Sequence, residues 1–392
     1  MPTAPRSLYV HVPFCAHRCG YCDFVTTSRS PEIHERYVAA LARDLTLQGG
    51  VPAGGFNTVF VGGGTPTLLE PAAMDALLAW IDELRAPGAE VTIECNPETV
   101  DTRLVAQLAA GPIDRVSLGA QSFSPHVLET LERRADPETV RRAVDGLRGA
   151  GITRLSLDLI WGVPGQTPDD VARDLGAALA LKPDHLSAYE LEFKPGTRLA
   201  HRFGTDVDAA IGEASDDLYD LVIDQLQDAG WWWYETANFA RVEEERCRHN
   251  LAYWHAYEWI GVGVGAVGTR STPGGTGALT RRTNLPNVPR WLDALEREVE
   301  PPTRVEEVDV ATARAERIML ALRLDAPTRA HAGDVLDGIV DLAGLERVVE
   351  LDLGTVTPAP DPDGVLRGAL DIRLNRRGRM LLHSVADLVL AQ

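Results

Sequence analysis

The stretch LYVHVPFCAHRCGYC, residues 8–22, is a short apolar run followed at once by three cysteines. The run Leu8–Val12 has the length and the β-branched residues of a buried strand. Five similar runs follow, with amphipathic helical stretches between them: Thr58–Val61, Val91–Cys95, Arg115–Leu118, Arg154–Leu159 and His185–Leu191. Six strand–helix units in succession predict a parallel sheet with helices on its outside.

Polar or glycine-rich residues follow the carboxyl ends of these predicted strands: Gly62–Thr65, Glu94, Gln121, Asp158 and Tyr189–Glu190. A barrel directs all of its strand ends toward one mouth, so these residues would converge there. A doubly wound sheet would gather them at one switch point instead. We favour the barrel, and the predicted fold class is α/β with a partial (β/α)6 TIM-type barrel.

Two of the helical stretches have recognisable beginnings. Ser30-Pro31 places serine at an N-cap position and proline in the first turn. The face that follows is apolar at Ile33, Tyr37, Leu41 and Leu45. The next stretch begins near Pro71, and its apolar face consists of Met74, Leu77, Leu78, Ile81 and Leu84.

Cys15, Cys19 and Cys22 lie in one loop with CxxxCxxC spacing, and three thiolates so placed can hold one metal centre. Structural zinc requires four ligands, which His11 or His17 would complete. A redox pair would use Cys19 and Cys22 and leave Cys15 without a role. An iron–sulfur cluster normally takes four thiolates, so three leave one iron open to another ligand. Ordinary burial of three cysteines within eight residues is improbable in a chain with five.

The composition bounds the class of protein. The chain has 392 residues, with 38 Lys+Arg against 57 Asp+Glu, and a formal net charge of −19. This excess of acid argues against a nucleic-acid partner, because such proteins concentrate basic residues on one face. An odd number of cysteines is a poor disulfide framework and indicates a reducing compartment. Residues 1–14 lack the apolar core of a secretory signal, and no apolar stretch is long enough to cross a bilayer. We therefore expect a cytoplasmic protein without an integral membrane segment.

The pattern changes beyond Gly230, and we expect two domains, residues 1–283 and 284–392. The second contains a helix-patterned segment, Ala311–Leu324, and a mixed tail in which a turn at Asp361–Gly364 separates two strand-like runs.

The cysteine loop and its surroundings resemble the radical S-adenosylmethionine (SAM) superfamily, in which three cysteines hold a [4Fe-4S] cluster and SAM chelates the fourth iron. Gly62-Gly-Gly-Thr-Pro66 resembles the glycine-rich SAM contact of that superfamily. Glycine permits a ligand to approach the backbone closely. The alternative, a tight strand-to-helix turn, would account for one glycine but not for three. No Gly-Lys-Ser/Thr follows, so the segment is not a phosphate loop.

Further segments are similar to the oxygen-independent coproporphyrinogen III oxidase group of this superfamily: Ile93–Pro97, Ser117–Phe123 and Leu157–Gly165. The resemblance implies a SAM pocket lined by Tyr9, Gly64, Thr65, Glu94, Gln121, Arg133 and Asp158. The ordinary alternatives stay open. Glu94 and Asp158 could be strand-end charges satisfied by a helix N-terminus, and Arg133 could be a solvated helix residue.

Two features depart from the oxidases and resemble the HemW heme chaperone family instead. The cysteine motif of the oxidases looks like CxxxCxxCxC, whereas in this chain Phe24 stands at the position of the last cysteine. The oxidases also carry a substantial segment before the motif, whereas only eight residues precede Tyr9 here. Asn238–Ala240 and Cys247–Trp254 are similar to the HemW segments that include its HNxxYW signature. Leu374–Leu382 resembles a C-terminal winged-helix-like element of that family.

The HNxxYW segment is the candidate heme site. His249 could be an axial ligand, with Asn250 beside it, while Tyr253 and Trp254 offer flat aromatic surface to a porphyrin. Cys247 is a second possible ligand. The alternative is that His249 and Asn250 are buried hydrogen-bonding residues that brace the open edge of the barrel, with the aromatic residues as core.

The resemblance implies a heme chaperone that carries a [4Fe-4S] cluster and exchangeable SAM. Its partners would be heme and heme-accepting proteins such as respiratory enzymes. The alternative is a coproporphyrinogen III oxidase that uses a 5′-deoxyadenosyl radical, so enzyme activity is left open; a radical SAM enzyme with an unrelated substrate is a third reading. Gly263–Gly268 fits GxGxxG, but no helix follows it, which excludes a dinucleotide site. Cys95 alternates with Glu94 along a strand and is interpreted as packing.

Overall fold

The computed structural model describes residues 6–28, 30–204, 214–272, 277–359 and 368–391. Its strands are β1 (Ser7–Val12), β2 (Phe14–Cys15), β3 (Thr27–Ser28), β4 (Phe56–Gly63), β5 (Arg85–Cys95), β6 (Arg115–Gln121), β7 (Arg154–Trp161), β8 (His185–Glu190), β9 (Trp232–Trp233), β10 (Asn238–Ala240), β11 (Trp259–Val262), β12 (Val267–Ser271), β13 (Leu279–Asn284), β14 (Thr303–Val308), β15 (Thr328–Ala330), β16 (Gly354–Pro358) and β17 (Leu370–Leu374).

The α-helices are α1 (His34–Leu47), α2 (Pro71–Leu84), α3 (Thr102–Ala110), α4 (Pro125–Thr130), α5 (Pro137–Gly149), α6 (Pro168–Ala180), α7 (Arg198–Phe203), α8 (Ala214–Asp228), α9 (Arg248–Trp254), α10 (Val288–Glu296), α11 (Val310–Ala321), α12 (Ala332–Leu336), α13 (Leu342–Glu350), α14 (Arg376–Met380) and α15 (Leu382–Val389). Short 3₁₀ turns lie at Pro31–Ile33, Pro66–Leu68, Pro97–Thr99 and Glu243–Glu245.

The six predicted strands form one continuous parallel sheet in the order β1-β4-β5-β6-β7-β8. On one side β11 pairs with β1 in parallel, and β12, β13 and β14 continue antiparallel. On the other side β10 and β9 follow β8 antiparallel. The predicted α/β class and the six-unit parallel sheet are confirmed.

The two faces of this sheet differ in character because side chains alternate along a strand. On the outer face Val10, Val61, Ile93, Leu118 and Leu157 are buried in an apolar core with the helices. The inner face carries polar and aromatic side chains: Tyr9, Phe60, Glu94, Ser117, Asp158 and Tyr189. Tyr9 on β1 and Tyr189 on β8 line the same cavity although four strands separate them. The sheet is therefore curved into an open barrel around that cavity.

The C-terminal residues build a second, smaller apolar cluster that runs from Ile318 to Val389. It packs around a three-stranded antiparallel sheet of order β15-β17-β16. The order of elements is helix, strand, helix, helix, strand, strand, helix, helix. The winged-helix-like element and the boundary after residue 283 stay predictions, and the turn predicted at Asp361–Gly364 lies outside the described residues. In the described part of the chain, no helix is both long and apolar enough to span a bilayer.

Candidate functional site

One cavity of about 640 Å³ occupies the interior of the open barrel. Its mouth lies at the carboxyl ends of the parallel strands, where the cysteine loop (residues 15–22), Phe24, Tyr189 and Lys194 line it. Its floor lies near the amino ends of the strands, where Cys247, His249 and Tyr253 approach Phe60 and Thr92. A barrel that gathers strand ends at one opening explains why chemically varied residues meet here.

The three cysteines of the loop all line the mouth, and each is partly exposed. Cys15 Sγ lies 3.7 Å from Thr65 Oγ1, and Arg133 Nη1 donates to Cys19 Sγ at 3.6 Å. Burial raises the pKa of Cys15 to about 11, and it also raises the pKa of Cys22. Binding of a metal centre there would release thiol protons, because thiolates are the ligands.

The donor set fits an iron–sulfur cluster better than a single ion. Three thiols on one loop face a shared space, and a partly buried arginine points at one of them to offset thiolate charge. Across the described ranges, no three His, Cys, Asp or Glu side chains are grouped closely enough to hold one metal ion.

Backbone hydrogen bonds fix the position of the cysteine loop. Gly20 N–H donates to the Leu131 carbonyl at 3.2 Å, and Leu199 N–H donates to the Gly20 carbonyl at 2.9 Å. A Cβ at Gly20 would lie 2.8 Å from Leu199 Cδ1, so a larger residue there would have to displace the Leu199 side chain. Leu131 and Leu199 belong to a small apolar cluster against which Tyr21 packs. The loop is thus held by the ends of β7 and β8 and by α4 and α7.

The glycine-rich strand end approaches backbone as well as the cavity. A Cβ at Gly64 would lie 2.7 Å from the carbonyl carbon of Pro13, directly before the segment that carries Cys15. Gly63 has a φ of +111° and donates its N–H to Glu94 Oε2 at 3.0 Å. Close packing around Gly63 and Gly64 therefore already requires glycine at both positions, whether or not a ligand also contacts them.

The seven residues expected in the SAM pocket all line the cavity: Tyr9, Gly64, Thr65, Glu94, Gln121, Arg133 and Asp158. Burial raises the pKa of Glu94 to about 8, with the Gly63 N–H acting against that rise. Burial also raises the pKa of Asp158, although Ser117 Oγ lies 3.0 Å from both of its oxygens. Two carboxyl groups that lack a fully compensating cation suit a ligand that brings positive charge or donors.

The HNxxYW segment forms α9 at the floor, and its histidine is enclosed. His249 is 1% exposed; its Nδ1 lies 2.9 Å from Thr58 Oγ1 and its Nε2 lies 2.8 Å from Tyr253 Oη. The ring also stacks on Phe60, with centroids 5.2 Å apart. Burial lowers the pKa of His249 to about 3, so the imidazole is neutral at physiological pH.

The remaining residues of this segment separate into two groups. Asn250 and Tyr253 line the cavity with His249. Trp254 does not line it; the guanidinium of Arg323 lies over its ring at 5.3 Å. Cys247 is buried, and its Sγ lies 3.7 Å from Glu90 Oε1.

A buried ion network below the floor was not anticipated from the sequence. Glu90 accepts the backbone N–H of His249 at 3.1 Å and lies 3.5 Å from Arg154 and 3.9 Å from Arg115. Arg115 Nη1 also donates to the Glu245 carbonyl, whereas its Nη2 has no hydrogen-bond partner within the described ranges. The available signal was a charged residue at or directly before the start of three predicted strands: Glu90 before Val91–Cys95, Arg115 and Arg154. Charged groups that are buried at such positions are expected to be paired.

Comparisons with known proteins agree with this architecture. The model of the radical SAM superfamily matches residues 9–177. The heme chaperone HemW of Mycobacterium tuberculosis is 37% identical over 367 residues, 88% of this chain and 90% of that protein. HemW of Escherichia coli is 36% identical over 72% of this chain and 75% of its own length, and HemW of Bacillus subtilis is 30% identical over 82% and 84%.

Among solved structures, the coproporphyrinogen III oxidase HemN of Escherichia coli, a radical SAM enzyme, matches with a TM-score of 0.78. It is 22% identical, and the match covers 99% of this chain and 90% of that one. At this identity the likeness shows the fold alone. The extent and identity of the HemW matches confirm the predicted family. The chain contains a radical SAM domain and belongs to the HemW family of heme chaperones.

Proposed function

We propose that this chain binds heme and passes it to an acceptor protein, such as a respiratory enzyme, and that its cavity holds a [4Fe-4S] cluster with exchangeable SAM. The observation that carries the proposal is the meeting of three partly exposed thiols and a pair of carboxyl groups in one cavity. Family membership supports heme handling, and the radical SAM domain supports the cluster and SAM.

In this proposal Cys15, Cys19 and Cys22 are the cluster ligands. Arg133 offsets the negative charge of the Cys19 thiolate through its 3.6 Å contact, and the Phe24 N–H does the same for Cys22. When bound, the cluster supplies one-electron chemistry and an open iron site for SAM. The chain's part is to hold three thiolates on a loop whose backbone is fixed at Gly20.

The SAM pocket is proposed at the seven cavity-lining residues. Glu94 and Asp158 would receive the amine and hydroxyl donors of SAM, and Arg133 would receive its carboxylate. Arg133 is well placed for this, because it lines the cavity and is held there by bonds that it donates to Asn96 Oδ1 and to the Gly119 carbonyl. Tyr9 and Gln121 would close the pocket along the sheet.

Heme binding by the HNxxYW segment stays a prediction, and it would require the loss of an existing hydrogen bond of His249. An axial bond from His249 to iron requires loss of the contact with Thr58 or with Tyr253. Both contacts are buried, so the freed hydroxyl would need a new partner. Asn250 and Tyr253 face the cavity, whereas Trp254 could contact a porphyrin only after rearrangement.

An anaerobic titration of the cluster-reconstituted chain with heme, followed by absorbance, tests the proposed function. We expect saturable binding near one heme per chain and transfer of that heme to an apo-cytochrome added afterwards. Absence of saturable binding would contradict the chaperone function. If the chain is a chaperone, a parallel assay with coproporphyrinogen should give no decarboxylated product.

A further inference from the structure

We propose that heme docks at the mouth of the cavity, between Phe24 and Tyr189, with His17 as its axial ligand. This placement rests on the proposed function, since it names where the chain holds heme. It moves the heme away from the buried floor and toward the exposed end of the barrel.

The first argument is the space available. Pockets that enclose one small-molecule ligand span about 300–1,000 Å³, and this cavity measures about 640 Å³. The proposed cluster and SAM occupy that interior between the cysteine loop and Asp158. A porphyrin is itself a ligand of this size class, so it does not fit inside together with SAM. Simultaneous binding therefore requires heme to lie outside, at the opening.

The second argument is the state of the two candidate histidines. Both ring nitrogens of His249 are engaged by hydroxyl groups, and the ring is 1% exposed. The side chain of His17 is 33% exposed at the mouth, and its Nε2 lies 3.8 Å from Glu132 Oε2. The same Nε2 lies 3.5 Å from Arg198 Nη2, and Glu132 is itself paired with Arg198. His17 therefore has the access to a ligand that His249 lacks.

The third argument is exposed aromatic surface. The Phe24 side chain is 58% exposed and Tyr189 is 43% exposed, and both line the mouth. Single exposed aromatic residues are ordinary on protein surfaces, but these two lie on separate elements that border one opening. Phe24 lies two residues after Cys22, at the end of the cysteine loop. Heme presents two flat apolar faces that such rings can cover.

Two cations at the mouth can pair with the two carboxylates of heme. Arg18 is exposed beside His17 and donates from Nε to the Cys22 carbonyl at 3.1 Å, and Lys194 pairs with the exposed Glu192. The carboxyl groups of Asp23 and Glu190 also line this end of the cavity. Exposed ion pairs contribute little stability, so Lys194 can exchange that partner for a heme carboxylate. The mouth therefore supplies an imidazole, two aromatic faces and two cations within one surface.

Heme titrations of His17→Ala and Tyr189→Ala in the cluster-reconstituted full chain test the placement. Matched controls are His126→Ala and Tyr257→Ala, exposed residues that do not line the cavity. We expect heme affinity to fall about tenfold or more in His17→Ala, with a shifted Soret maximum. It should fall about threefold to tenfold in Tyr189→Ala and change less than about twofold in the controls.

Iron content is measured first, because His17 lies in the cysteine loop and its replacement could disturb the cluster. Tyr189 is on β8, outside the loop, and keeps the test decisive if His17→Ala loses iron. Saturating SAM should change the heme affinity of the wild-type chain by less than about twofold.

Unchanged affinity in both mouth variants, or displacement of heme by SAM, would overturn the placement while leaving the chaperone function intact. A wild-type chain that binds no heme would instead refute the proposed function itself.

Discussion

The mouth and the floor of the cavity are built in different ways, although both are assembled on the same parallel strands. At the mouth, thiols and aromatic rings are partly exposed, and backbone hydrogen bonds at Gly20 together with packing of Tyr21 hold the cysteine loop. At the floor, the side chain of His249 is enclosed by Thr58, Phe60 and Tyr253. Exposed donors can take up a ligand without breaking existing bonds, whereas enclosed ones stabilise the barrel.

The largest expected effect concerns the two kinds of cysteine. Cys19→Ala should abolish cluster formation, because it removes one of three thiolates at the mouth and two thiolates hold a cluster poorly. Cys247→Ala should retain wild-type iron, because Cys247 is buried at the floor beside Glu90. Iron and sulfide analysis after anaerobic reconstitution, with visible absorbance, measures both. Equal iron content in the two variants would contradict the prediction that Cys19 at the mouth is a cluster ligand and Cys247 at the floor is not.

The second effect is on stability, and here substitution at the floor should have a larger effect than substitution at the mouth. His249→Ala should lower the free energy of unfolding by about 2–4 kcal/mol, because it opens a cavity and leaves the Thr58 and Tyr253 hydroxyls unpaired. His17→Ala should lower it by less than about 1 kcal/mol, because that ring is partly exposed. Denaturant unfolding of the two cluster-free variants beside the wild type measures the difference. Similar losses in both would mean that the mouth histidine is as structural as the floor histidine.

The fold could be predicted because its signal is repeated six times. Each apolar run, such as Leu8–Val12, is a strand of the parallel sheet, and the polar strand ends meet in one cavity as a barrel requires. Local details were less certain. Ser30 stands at the predicted helix start, but its side chain makes no capping hydrogen bond, and the first turn is a 3₁₀ turn at Pro31–Ile33. Tertiary packing of Tyr37 and Leu41 determines that helix more than its cap.

The site was predictable to the extent that motifs are local. The three cysteines and the SAM candidates lie near one another as expected, because they follow successive strands. The partners of His249 were not predictable, because Thr58 lies 191 residues away in sequence. The same holds for Gly64, whose neighbour Pro13 is brought close only by pairing of β1 with β4. Long-range contacts of this kind decide whether a motif residue is free to bind a ligand.

Glu94 lies between the two regions, and the effect expected from it is a dependence of stability on pH. Burial raises the pKa of its carboxyl from the ordinary 4.5 to about 8, so the group is neutral in the folded chain at pH 7 but ionised in the unfolded chain. Unfolding therefore releases a proton from Glu94. Because a rise in pH favours proton release, the free energy of unfolding falls as pH rises from 4.5 toward 8. Glu94→Gln cannot ionise, yet its amide oxygen can still accept the Gly63 N–H.

The stability of Glu94→Gln relative to the cluster-free wild type should consequently increase between pH 5 and pH 8 and stay constant above that range. Glu192→Gln, at an exposed carboxyl of the mouth, provides the matched control and should show no such increase. Denaturant unfolding at pH 5, 6.5, 8 and 9 measures the trend. If the difference in free energy of unfolding between Glu94→Gln and the wild type does not change with pH, Glu94 ionises near its ordinary pKa. Glu94 would then be solvated like the groups at the mouth and not enclosed like His249 at the floor.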